Sequence, residues 1–206
     1  MGVKIYLYPL WLRIWHWINA LIIVLLIITG ISMQYSNPEY PFMRFDLAVS
    51  IHNISGILLT AGYVFFLIFN LSGPNGKYYR LQIKGLGNKL MKQFRYYLTG
   101  IFKGEKAPFP ISEKRKFNPL QKVTYVLVMY IGMPLIFITG WALLFPEVII
   151  HNFLGASGLY LTALFHVVTG FFLSIFLFIH IYFATIGKTA ASNFRAMFNG
   201  WHEAHD

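Results

Sequence analysis

The chain has 206 residues, of which 57% are hydrophobic, 18% aromatic and only 12% charged, with a mean hydropathy of +0.57, which is too apolar for a soluble domain of this size. It carries a formal net charge of +10 and no cysteine, so disulfides, thiolate nucleophiles, iron–sulfur clusters and haem attached through a C-x-x-C-H sequence are all excluded. Any cofactor must be held by nitrogen, by oxygen or by packing.

Four stretches without Asp, Glu, Lys or Arg are long enough to cross a bilayer, and spans are expected at about 14–34, 48–71, 121–146 and 158–187. The first opens with Trp15, His16, Trp17 and Asn19 and has no A-x-A-like site after it, so it is expected to stay in the mature protein. The second carries His52 close to its start. A basic loop at 72–120 follows, in which eleven basic residues from Lys77 to Lys116 face only Glu105 and Glu113. Aromatic and aliphatic residues such as Tyr78, Leu90, Met91, Phe94 and Phe102 are interleaved with these bases, a pattern that suits an amphipathic helix on anionic lipid better than a nucleic-acid surface. Pro108 and Pro110 close that segment, and Pro134 is expected to kink the third span. Thr-Gly recurs at Thr29-Gly30, Thr139-Gly140 and Thr169-Gly170 without forming a convincing internal repeat.

The expected fold class is therefore all-α integral membrane: a four-transmembrane-helix bundle forming a single domain over 1–206. Basic residues mark the cytoplasmic side, which places both termini and the amphipathic segment between helices 2 and 3 inside (N-in/C-in) and two short connections outside. The localisation that follows is a bacterial or archaeal cytoplasmic membrane.

Ionisable side chains within a bilayer are costly and rarely face lipid, so the histidines carry most of the information. Of the seven, His16, His52, His166 and His180 fall in spans. One isolated membrane histidine serves helix packing as often as it serves a ligand; four together change that balance. His166 and His180 are 14 residues apart, which is about 40° short of four full helical turns and about 21 Å of rise. They share a face and occupy opposite leaflets. With the topology above, His52 pairs in depth with His166 on the outer side, and His16 with His180 on the inner side.

Two imidazoles at one depth, without a carboxylate, suit a metal whose other positions are filled by a macrocycle, and haem b meets that description. Four-coordinate zinc would need three or four protein ligands at one depth. Ala20, Gly56, Gly170 and Ala184 each lie four residues after a paired histidine and would leave room for a planar group, although small residues at that spacing also serve helix packing. Two haem b, one in each leaflet, make an electron path across the bilayer. Asn118 and Gln121, at the mouth of the third span beside the inner site and His180, are candidate quinone contacts, and equally a helix N-cap and a first-turn residue. His151 reads as a solvated loop residue, and His202 and His205 as a mobile tail.

These residues resemble the four-helix prokaryotic cytochrome b561 superfamily, in particular the cytochrome b subunits of nickel–iron hydrogenase, formate dehydrogenase N and the thiosulfate reductase type. Pro9-x-x-x-Arg13-x-x-His16-Trp17-x-x-Ala20 is similar to the start of the hydrogenase-type subunit. Phe117-Asn118-Pro119-Leu120-Gln121-Lys122, His180-x-Tyr182-x-Ala184-Thr185-x-Gly187 and Gly200-Trp201 are more similar to the thiosulfate reductase group. The resemblance covers all four spans. It implies electron transfer between a quinone pool, menaquinone or ubiquinone, near the cytoplasmic face and a periplasmic-facing redox subunit, which would be an iron–sulfur, molybdopterin, hydrogenase or multihaem cytochrome protein. It also implies iron ligation by His16 and His180 at the inner haem and by His52 and His166 at the outer, with the quinone close to His180. Arg13 is then placed to pair with a haem propionate, or to serve as a positive-inside anchor.

Two other functions compete with this electron-transfer subunit of a respiratory complex. One is a stand-alone quinone-linked cytochrome b561 that reacts with a small redox molecule at its outer face. The other is a transporter in which the histidines relay protons; it lacks intramembrane Asp, Glu, Lys or Arg to complete a relay and shows no inverted repeat.

Overall fold

The computed structural model describes residues 4–37, 39, 42–153 and 155–203; His205 lies outside the described residues. Four long apolar helices are found among them: α1 (Leu10–Gln34), α2 (Phe45–Ser72), α4 (Pro119–Leu144) and α5 (Gly158–Ala184), with a shorter α3 (Leu86–Arg95) between the second and third and α6 (Ser192–Asn199) after the last. Each long helix has the 20 or so apolar residues that a hydrocarbon core of about 30 Å requires. Their outward faces remain exposed, with Phe171, Phe172 and Phe178 of α5 each more than 60% accessible. Such faces are stable in lipid, where backbone polar groups must be satisfied within the helix and apolar side chains need no cover. The chain is a multi-pass membrane protein.

The first three long helices begin earlier than expected, and the fourth begins at the expected Gly158. α1 starts at Leu10 and takes in Arg13, because a charge near a helix end reaches the interface without breaking the helix. α4 starts where Pro119 occupies the first helical position and Asn118 caps it. Ahead of Pro134 the backbone widens into a π turn at Val128–Gly132, which accommodates the missing N–H and the ring that would crowd the carbonyl four residues back.

The chain divides into two compact units. One comprises Ile14–Ile68 and Ile131–His180. In it Trp15 stacks on Phe66 at 4.5 Å between ring centres, and its indole donates to the carbonyl of Gly62 at 2.7 Å. Gly62 is close-packed, since a Cβ there would come within 3.2 Å of the Asn19 amide. Tyr63 meets Phe137, and Trp141 donates to the Thr60 hydroxyl at 3.2 Å.

The other unit comprises Met1–Arg13, Phe69–Tyr130 and Ile181–Asp206. It joins the two ends of the chain: β1 (Lys4–Tyr6) pairs antiparallel with β4 (Trp201–Glu203), with Ile5 opposite His202. His202 is buried in this ladder, so the expectation of a mobile tail is corrected for it; the pairing partner lies almost 200 residues away in sequence and leaves no local signal. A second small hairpin, β2 (Asn152–Phe153) with β3 (Ala156–Ser157), precedes α5, and His151 beside it is exposed. The basic loop contains α3, on which Met91 and Phe94 are exposed near Lys92 and Arg95, with Leu98 and Phe102 continuing the apolar stripe.

Candidate metal centre: two facing histidine pairs

All four span histidines fall in the unit built from Ile14–Ile68 and Ile131–His180. His16 of α1 faces His180 of α5 with ring centres 6.1 Å apart, and His52 of α2 faces His166 of α5 at 6.2 Å. The 14 residues between His166 and His180 set the pairs about 21 Å apart along the helix. Two metal–nitrogen bonds of about 2 Å, plus about 1 Å from each nitrogen to its ring centre, make about 6 Å for one metal ion held between two imidazoles. Both pairs have that separation. Among the described residues no group of three or more His, Cys, Asp or Glu gathers at one place. The donor set is thus two nitrogens per site, which fits a haem iron with two axial ligands and does not fit four-coordinate zinc.

The surroundings of the two pairs differ. The Thr29 hydroxyl of α1 lies 2.9 Å from His52 Nδ1, and the Thr139 hydroxyl of α4 lies 2.9 Å from His166 Nδ1. Beside each threonine a glycine clears the ring: a Cβ on Gly30 would sit 3.5 Å from His52 Cε1, and one on Gly140 only 3.1 Å from His166 Cε1. At the other pair, His16 Nδ1 is buried without a hydrogen-bond partner, the edge of the ring meets Trp17, and His180 lies parallel to Phe176. The two glycines singled out four positions after a histidine are less intimate. A Cβ on Gly56 would meet open space, and one on Gly170 would make ordinary contact with Ile136. The glycines closest to the rings stand on the neighbouring helix, and the recurrence of Thr-Gly was the sequence signal for them.

The remaining candidates lie in the other unit or at its border. Arg13 donates through Nη1 to the carbonyl of Phe198, near the C-terminal end of α6, a position that favours a cation; its Nε is buried and has no hydrogen-bond partner. Asn118 and Gln121 form a capping box. The Asn118 Oδ1 accepts from the Gln121 backbone N–H at 2.9 Å, and the Gln121 Oε1 accepts from the Asn118 N–H at 3.2 Å. Asn118 Nδ2 also donates to the Tyr97 hydroxyl at 2.7 Å. Sequence reasoning missed Lys116, which is only 2% exposed. Its Nζ donates to Asn75 Oδ1 at 3.1 Å, Asn75 donates to Asn70 at 2.7 Å, and Asn70 donates to the Tyr130 hydroxyl at 2.8 Å. The ammonium sits 4.6 Å from the centre of the Tyr8 ring. Burial pulls the Lys116 pKa down to about 7 and pushes the Tyr8 hydroxyl up to about 12. A lysine in a basic loop reads as solvated, and nothing local in the sequence separates it from its ten neighbours of like charge.

A family model described as prokaryotic cytochrome b561 matches residues 7–200 of the chain. The chain is 38% identical over 201 residues to a putative cytochrome, YdhU, of Escherichia coli strain K12, covering 98% of this chain and 76% of that protein. It is 26% identical over 150 residues to a probable Ni/Fe-hydrogenase B-type cytochrome subunit of Rhodobacter capsulatus, covering 68% of this chain and 55% of that protein. No solved structure matches.

Proposed function

The chain belongs to the prokaryotic cytochrome b561 family, a membership that implies haem b, and from that premise we propose that it is a dihaem cytochrome b that carries electrons across the membrane between a quinone pool and a partner redox subunit. The observation that carries the reading is the pair of two-histidine sites with ring centres 6.1 and 6.2 Å apart. His16 and His180 hold the inner haem iron, and His52 and His166 the outer. Bound between two imidazoles, haem b supplies one-electron transfer and offers no open coordination position. The protein does the rest: the four histidines fix the irons, Thr29 and Thr139 orient two of the rings, and the apolar helices exclude water.

The basic loop sets the cytoplasmic side of a bacterial or archaeal inner membrane, and α3 with the exposed Phe94, Leu98 and Phe102 rests on anionic lipid. Menaquinone or ubiquinone exchanges electrons at the cytoplasmic side, close to His180. The capping box uses the side-chain oxygens of Asn118 and Gln121, so a quinone carbonyl would accept from their side-chain N–H groups, and substitution of either would alter inhibitor affinity and helix stability together. The relative described as a hydrogenase cytochrome subunit supports a redox partner; the reading puts that partner on the outer face, beside His52 and His166.

The test is haem extraction with oxidised and reduced absorption spectra on the detergent-purified chain. Two low-spin haem b per chain are expected. A chain that binds no haem would sink the reading and return the histidines to proton relay.

A further inference from the structure

A threonine hydroxyl has one hydrogen to give. Thr29 Oγ1 lies 2.7 Å from the Leu25 carbonyl and 3.2 Å from that of Leu26, in addition to the 2.9 Å contact with His52 Nδ1. Thr139 repeats the arrangement, with 2.8 Å to the Leu135 carbonyl, 3.2 Å to Ile136 and 2.9 Å to His166 Nδ1. Carbonyl oxygens only accept, so in each case the hydroxyl hydrogen is committed to the backbone of its own helix, and the lone pair turned to the imidazole must receive a hydrogen from it. That assigns Nδ1–H to His52 and His166 and leaves Nε2 as the nitrogen with a free lone pair. At Gly140 the ring lies closer to the neighbouring backbone than a Cβ would allow without a shift, at 3.1 Å, whereas a Cβ on Gly30 would make ordinary contact at 3.5 Å.

We propose that Thr29-Gly30 and Thr139-Gly140 are matched ring seats that fix the tautomer and rotation of His52 and His166 and strengthen them as iron ligands, holding down the reduction potential of the haem between them. This rests on the dihaem reading. The physical cause is general: an imidazole that donates its second N–H to an acceptor becomes a more basic ligand, which favours the ferric state, and loss of such a partner typically weakens metal binding by about 10- to 100-fold. The two threonines are positioning residues, since neither touches the iron. Thr169-Gly170, the third occurrence, has no such role: it follows His166 on the same helix, and the nearest atom to a Cβ at Gly170 belongs to Ile136.

The experiment is a redox titration of the purified full chain with Thr29→Val, Thr139→Val, Thr29→Ser and Thr139→Ser, each compared with the wild type. Valine keeps the shape and removes the hydroxyl acceptor, leaving only the backbone carbonyl of Leu26 or Ile136 beside the ring; serine keeps the hydroxyl. The expected result is that each valine variant raises one of two midpoint potentials, or loses that haem alone, while the other midpoint stays in place and the serine variants match the wild type. Valine variants with both haems and unmoved midpoints, or with both midpoints moved together, would overturn the proposal. Nitrogen-15 spectra of the histidines in the haem-free wild type read the tautomer directly: Nδ1–H at His52 and His166 supports the seats, and Nε2–H at either sinks them. The wild-type haem count tests the dihaem reading separately, so its failure would be distinguishable from failure of the seats.

Discussion

The two compact units use their buried polar groups in opposite ways. In the unit of Phe69–Tyr130 and the chain ends, most buried polar groups satisfy one another, Arg13 Nε excepted: Lys116 to Asn75 to Asn70 to Tyr130, Asn118 with Gln121, and β1 with β4. In the unit of Ile14–Ile68 and Ile131–His180 they are few, and several end on an imidazole or are left open, as at His16 Nδ1. Buried polar atoms without partners are costly in an apolar interior. Among the described residues four such atoms remain: His16 Nδ1, Asn19 Oδ1 and Ser32 Oγ in the histidine-bearing unit, and Arg13 Nε in the other. The same contrast recurs on a smaller scale between the two histidine pairs. His52 and His166 each stand on the second helix of a hairpin and are each bonded by a threonine of the first, while His16 and His180 come from unlike positions. Phe66, 14 residues after His52, stands where the second hairpin has His180, and it stacks on Trp15 instead.

Substitutions in the two units should therefore separate haem chemistry from scaffold stability. The largest effect is expected from His166→Ala or His52→Ala, which should remove one haem and leave the other; a haemochrome count showing loss of both or of neither would break the pairing. Next, Gly140→Ala should disturb the His52–His166 site more than Gly30→Ala, because the added Cβ meets His166 at 3.1 Å but His52 only at 3.5 Å. The difference would appear in the low-spin absorption and in the midpoint of one haem, and equal responses would contradict the tighter seat at Gly140.

The scaffold changes should spare haem content. Lys116 titrates near 7 when folded, against about 10.4 for an unfolded lysine. Below pH 7 both states hold the proton and the full cost of burying the ammonium is present. Between about 7 and 10 the folded state releases it while the unfolded state retains it, so stability rises with pH across that window. Lys116→Met removes this slope, and thermal unfolding in detergent from pH 6.5 to 9.5 should show the wild type gaining on the variant as pH rises; parallel curves would mean that Lys116 is solvated. The smallest effect is that of Asn118→Ala, which removes the cap of α4 and should cost about 1 kcal/mol without loss of haem.

Much of this was legible in the chain itself. The four spans follow from charge-free length alone, and the 14-residue step from His166 to His180 places two histidines on one face of one helix by helical periodicity. These are local properties, set by what lies within a few turns of backbone. The partners of those residues are not. That Thr29 reaches His52, that Gly140 clears His166, that Ile5 pairs with His202 and that Lys116 is enclosed against Tyr8 all depend on the rotation and approach of segments distant in sequence. The sequence determined the number, length and histidine faces of the helices; only the tertiary structure decided which imidazole nitrogen is left free to bind, because that depends on which hydroxyl from a neighbouring helix comes within 3 Å of the other.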